Sequence, residues 1–133
     1  MSISKVRIAI AAGTAMSTAF IGVTVEQVQE EISQFNITNI TDFHGYISPS
    51  AAHPGAPMLK CAGDQAAGGL IQAFVSSGDN IGGSPFASFI LNDEPTLAAL
   101  NLMGLDYSAV GNHEFDKGYG DLTGRVTELS DFE

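Results

Sequence analysis

Six consecutive residues, Gly111-Asn112-His113-Glu114-Phe115-Asp116, place an amide, an imidazole and two carboxylates directly behind the apolar run Tyr107–Val110. Carboxylate and amide oxygens suit a divalent cation, and an imidazole beside them suits proton transfer or charge stabilisation. A glycine at the start of such a turn lets the backbone bend so that these groups converge. Taken alone, a solvated polar turn accounts for the same residues. The pattern, however, occurs three times. Thr41-Asp42-Phe43-His44-Gly45 follows the β-forming run Phe35–Ile40, and Gly78-Asp79-Asn80 follows the apolar stretch Leu70–Ser77. In an extended segment Asp42 and His44, two residues apart, point to one side and reach one cation. The glycine-rich loop Gly78–Ser84 lacks the lysine of a P-loop, which argues against a nucleoside-triphosphate site.

These groups need elements to position them. Strands are expected at Phe35–Ile40, Leu70–Ser77 and Tyr107–Val110. Tyr46–Gly69 carries Pro49, Pro54 and Pro57 and reads as an irregular loop with at most a short helix. His53 and Asp64 within it read as surface residues. A short helix is expected within Pro85–Asn92. A longer one starts at Asp93-Glu94-Pro95, with Asp93 or Glu94 as the cap, Pro95 in the first turn and Gly104 as the stop. Leu97, Leu100 and Met103 share its apolar face, and Leu122, Val126 and Leu129 mark a final helix. The order is that of an open α/β sheet, in which ligands gather outside the carboxyl ends of the strands.

The chain has 133 residues, room for one sizeable core, and 44% of them are hydrophobic. The net charge of −10 excludes a nucleic-acid polymer as an electrostatic partner. An anionic substrate would need bound cations to reverse the local field. Cys61 is the sole cysteine, so neither an intrachain disulfide nor a multi-cysteine zinc site can form. Residues 1–25 combine Lys5 and Arg7 with an uncharged stretch, 8–25, ahead of Glu26. They read as a signal peptide or an uncleaved membrane anchor, with a buried core helix as the alternative, and residues 26–34 as a linker. The expected location is secreted, periplasmic or cell-surface.

Asp42-x-His44, Gly78-Asp79-Asn80 and Gly111-Asn112-His113-Glu114, in that order, resemble the signature of calcineurin-like metallophosphoesterases. Thr41–Gly45, Asn101-Leu102-Met103-Gly104-Leu105-Asp106 and Gly111–Asp116 are similar to the secreted 5'-nucleotidase and 2',3'-cyclic-nucleotide phosphodiesterase branch, over about residues 35–130. The resemblance implies the N-terminal portion of a four-layer α-β-β-α sandwich within 35–133. It implies two divalent cations (Mn, Zn, Co, Mg or Fe), with Asp42 and His44 on the first, Asp79 bridging and Asn112 on the second. His113 and Asp116 would form the catalytic dyad, His113 stabilising charge on the phosphoryl group and Asp116 orienting it. The implied reaction is hydrolysis of nucleotide phosphate esters by a water activated between two metals. Family members add a Gly-His-x-His segment and a C-terminal nucleoside-binding domain, whereas this sequence has only His44, His53 and His113 and stops at Glu133. The expectation is therefore a phosphoric ester hydrolase by lineage that works with a missing C-terminal part. The alternatives are a non-catalytic remnant acting as a metal-binding or interaction module, and a cyclic-nucleotide phosphodiesterase of the same family.

Overall fold

The structure, a computed structural model, describes residues 34–133. The signal or anchor segment, and all of the linker but Gln34, lie outside the described residues. Among those described, no helix is long and apolar enough to cross a membrane.

β1 runs over Phe35–Ile40, the span its β-branched and aromatic residues favour. β2 (Ile71–Ser76) lies beside it in parallel, in register from Phe35 opposite Ile71 to Ile40 opposite Ser76. β3 (Tyr107–Ser108) adds to the far side of β2, also in parallel. The sheet order is β1-β2-β3. β3 is shorter than the apolar run Tyr107–Val110 suggests. β2 ends at Ser76, so after the Ala109 N–H has bonded the Ser76 carbonyl at 2.9 Å nothing remains for Val110 to pair with.

Between β1 and β2 the chain forms α1 (Gly55–Ala67), a 13-residue helix where an irregular loop with at most a short helix is expected. The prolines are the reason for the discrepancy. Pro49 and Pro54 precede the helix, and Pro57 sits in its first turn, where a missing N–H breaks no intrahelical bond. Beyond Pro57 the residues are strong helix formers such as Met58, Leu59, Lys60 and Ala62, and Gly68 closes the helix in the left-handed conformation. α2 (Phe86–Phe89) and α3 (Glu94–Met103) link β2 to β3. α3 starts after Asp93 and stops at Gly104 as its sequence indicates, but the Asp93 carboxylate makes no capping bond.

The chain closes with α4 (Tyr119–Asp121), a π turn over Leu122–Val126 and α5 (Thr127–Leu129). Leu122 and Val126 pack against Ile81 and Leu97, as their spacing predicts. Leu129 is left exposed, because the π turn takes up an extra residue and rotates α5 off the apolar face.

The main core lies between the sheet and the helices on one of its faces, and joins Ile40 and Phe74 to Phe43, Ala56, Leu100, Met103 and Leu105. Period-two alternation sends Phe35, Ile37, Ile71 and Tyr107 to the other face, where they are between 56% and 83% exposed. Parallel sheets are ordinarily covered on both faces. The α/β architecture with a parallel sheet agrees with the sequence expectation.

α3 supplies its own control for the core. Leu100 has no exposed surface, whereas Leu102 on the same helix is 90% exposed. Leu100→Ala is expected to cost about 2–5 kcal/mol in urea denaturation, and Leu102→Ala to stay within about 0.5 kcal/mol.

Candidate metal centre

The loops after β1 and β2 continue the pairing of their strands. The Asp42 N–H bonds the Gly78 carbonyl at 3.1 Å, the His44 N–H the Asp79 carbonyl at 3.1 Å, and the Gly45 N–H the Asn80 carbonyl at 3.0 Å. This ladder sets Asp42 and His44 beside Asp79. One ligating atom from each of the three lies within 4.8 Å of the other two. The convergence does not use the extended backbone expected for Asp42 and His44. Asp42, His44 and Asp79 all have positive φ, at 52°, 44° and 53°. Such conformations are uncommon for residues other than glycine and cost about 1–3 kcal/mol each. They are held by the backbone bonds on either side.

His44 is further fixed by its ring. Its Nδ1 lies 2.7 Å from the Gly82 carbonyl, which can only accept. In the neutral ring Nδ1 therefore carries the proton and Nε2 the lone pair. Nε2 is 3.9 Å from Asp42 Oδ1. Two carboxylates and an imidazole nitrogen make a donor set suited to a divalent transition metal. The bare carboxylates repel one another, and a cation between them removes that repulsion.

The third motif reaches the same place. A Cβ at Gly111 would fall 2.3 Å from Asp79 Oδ1, so glycine is required there for close approach. The sequence expectation of a sharp bend is not the reason, since Gly111 does not have positive φ. Asn112 is exposed and precedes a 3-10 turn over His113–Phe115. The His113 N–H donates to Asp79 Oδ1 at 2.9 Å, and the His113 ring meets the His44 ring edge-on with centroids 4.8 Å apart. His113 Nδ1 is 2.8 Å from Asp116 Oδ2. That hydrogen bond raises the His113 pKa above its usual value; partial burial opposes it, and the negative charges of Asp116, Asp79 and Glu114 assist it. His113, Asp116, Gly82, Gly83 and Phe89 line a cavity of about 180 Å³.

Glu114, to which sequence reasoning gave no role, is buried. Its Oε2 accepts the N–H groups of Asp79 (2.9 Å) and Gly111 (2.6 Å), and its Oε1 accepts that of Asn80 (2.7 Å). One carboxylate thus ties the loop after β2 to the loop after β3. Asn80 adds a second tie, accepting from Ser76 Oγ and donating to Ser108 Oγ. Only the place of Glu114 inside the motif could have signalled it, because a backbone-binding carboxylate leaves no pattern in sequence. His53 and Asp64, the expected surface residues, make local contacts: His53 stacks on Tyr46 and Asp64 pairs with Lys60, both within the segment between β1 and β2.

No family model matches the chain. It is 33% identical over 117 residues to a protein of Acinetobacter calcoaceticus described as "Uncharacterized protein in pqq-V 5'region", covering 74% of this chain and 57% of that one. It is 31% identical over 119 residues to the cell wall protein Lmo0130 of Listeria monocytogenes, covering 77% of this chain and 15% of that protein. A 48-residue stretch is 50% identical to endonuclease YhcR of Bacillus subtilis. The chain thus spans about half the length of the first of these relatives and much less of the others. Among solved structures, a Staphylococcus aureus "Putative 5'-Nucleotidase" superposes with a TM-score of 0.60 at 23% identity, over 72% of this chain and 21% of that one. The likeness shows the fold: the described α/β unit is that of part of the nucleotidase chain.

Two measurements check the local chemistry. Glu114→Gln keeps one acceptor oxygen where two are used, and is expected to cost about 1.5–3 kcal/mol in urea denaturation. In metal-free protein, His113 is expected to titrate above 6.5 by NMR, and Asp116→Asn to bring it down towards that value. The stabilisation from this pair is present in full below the unfolded-state histidine pKa and is lost as pH rises through the raised folded value.

Proposed function

We propose that the chain carries the metal-binding and catalytic segment of a metal-dependent phosphoesterase of the 5'-nucleotidase kind, acting on nucleotide phosphate esters. The observation that carries this reading is the meeting of Asp42, His44 and Asp79 at the strand ends, with the His113 ring against His44. The donor set fits divalent cations. Asp42 and His44 would hold one, Asp79 would be shared, and Asn112 would serve the second. Cations held there would offset the charge of a phosphate ester and make a water molecule more acidic.

The chain's own residues contribute the rest. Asp116 fixes the His113 ring through Nδ1, which in the protonated ring leaves the Nε2 N–H free to donate. The raised pKa keeps that ring cationic to higher pH, as suits a group that stabilises charge developing on a phosphoryl oxygen. Glu114 holds the Asp79 and Gly111 backbones in place. The cavity beside the dyad, with Phe89 on its wall, offers room for part of a leaving group. A relative named as a cell wall protein supports an extracellular or cell-surface setting.

A second reading, a metal-binding module without hydrolysis, is favoured by one observation. Among the described residues the set of His, Cys, Asp and Glu that could hold an ion is limited to Asp42, His44 and Asp79. Calorimetry with Mn²⁺ followed by phosphate release from AMP separates the two. The phosphoesterase reading expects Mn²⁺ binding that Asp79→Asn weakens, and AMP hydrolysis that His113→Ala lowers by about 10²–10⁴-fold. Binding without hydrolysis establishes the second reading, and no Mn²⁺ binding overturns both. Comparison of AMP with 2',3'-cyclic AMP assigns the branch.

A further inference from the structure

The corner between α2 and α3 holds a buried acid that the proposed chemistry does not use. Asp93 is 4% exposed, and its neighbours Ser88 and Thr96 have no exposed surface. Its backbone is left-handed, with φ 63°, and its carboxylate does not cap α3. The carboxylate turns inward instead. Oδ1 accepts the Ser88 hydroxyl at 3.0 Å, and Oδ2 accepts the Gly82 N–H at 3.3 Å. Ser88 Oγ is also hydrogen-bonded to Thr96 Oγ1. A buried polar group needs hydrogen-bond partners, and the backbone group that this carboxyl holds is the Gly82 N–H, in the Ile81–Gly82 peptide.

The residue that gives its N–H to Asp93 is also the one whose carbonyl receives His44 Nδ1. Gly82 has φ 73°, and a Cβ on it would fall 2.5 Å from Asp116 Oδ2 and 2.9 Å from His113 Cβ. It is therefore pressed against the dyad while being tied at both ends. The same polar cluster packs closely against Gly45, the residue after His44: a Cβ on Gly45 would fall 2.7 Å from Thr96 Oγ1 and 3.0 Å from Ser88 Oγ.

We propose that Asp93 is a positioning residue for His44. By anchoring the Gly82 N–H it restrains the residue whose carbonyl, in the next peptide plane, accepts from His44 Nδ1, and so favours the ring tautomer and orientation that present Nε2 to the cation. The inference rests on the reading of His44 as a metal ligand. Outer partners of this kind typically carry about 10–100-fold of a site's metal affinity.

The test has two arms. In metal-free wild-type protein, long-range ¹H–¹⁵N NMR of the imidazoles reads the His44 tautomer directly. The Nδ1-protonated form is expected, and a predominant Nε2-protonated form overturns the proposal whatever the variants do. In the second arm, Asp93→Ala and Asp93→Asn are compared with wild type by Mn²⁺ calorimetry and the same spectra, with urea denaturation to establish the folded fraction. Weaker Mn²⁺ binding by about tenfold or more, with a mixed His44 tautomer in a folded variant, supports it. Binding within twofold of wild type, with the tautomer unchanged, overturns it even if stability falls. Should wild type bind no Mn²⁺, the metal-centre reading fails, and with it the role given to Asp93. Ser88→Ala, which removes one of the two bonds to the carboxylate and leaves its bond to Gly82, is expected to shift both readouts less than Asp93→Ala.

Discussion

Glu114 is the interaction on which the site depends. Three backbone N–H groups from two loops end on one buried carboxylate, and no other acceptor within the described residues takes them. A parallel sheet leaves such N–H groups at its carboxyl edge by construction, because the strands stop and the loops diverge. Glu114 turns that defect into a fastening. The Asp79 and Gly111 backbones meet at its Oε2, which is why Gly111 has no room for a side chain beside Asp79. The bonds are charge-assisted and shielded from water, the setting in which a hydrogen bond to a carboxylate is strongest.

The fastening also explains how the site carries its local strain. Three left-handed non-glycine residues, Asp42, His44 and Asp79, are unfavourable one by one. Each lies between backbone bonds that leave it no alternative: the β1–β2 ladder runs through Asp42, His44 and Gly45, and Glu114 holds the Asp79 N–H. Sparsely populated backbone geometry is maintained where the surroundings over-determine it, and such geometry clusters at sites that do chemistry.

Much of the scaffold was legible in the sequence, for reasons that can be traced. β1 announces itself through Phe35–Ile40 because four of its six residues, Phe35, Ile37, Thr38 and Ile40, are β-formers. α3 is equally plain, with Pro95 in its first turn, Gly104 after its last, and Leu97, Leu100 and Met103 on its buried face. The three polar motifs were readable because strand ends in a parallel sheet share one edge. What escaped was whatever depends on a third party. α1 was masked by prolines that fall before it and in its first turn. The phase slip that frees Leu129 comes from a π turn that no residue type marks. The alignment of Asp42 with His44 depends on carbonyls more than thirty residues away, and Glu114 and Asp93 act on backbone atoms whose positions only the fold defines.

The sheet face that the described residues leave open carries a thermodynamic consequence. Unfolding raises the heat capacity in proportion to the apolar surface it newly wets, about 12–15 cal/mol/K per residue in ordinary domains. Phe35, Ile37, Ile71 and Tyr107 are already largely wetted in the folded form of residues 34–133. Their side chains add little to that increment. The stability curve of this unit is therefore expected to be flatter with temperature, and the denaturant dependence of its unfolding shallower, than for a unit of its size with both sheet faces covered. A cover over the face would restore both slopes together, so calorimetry on the described residues registers the arrival of that cover without seeing where it binds.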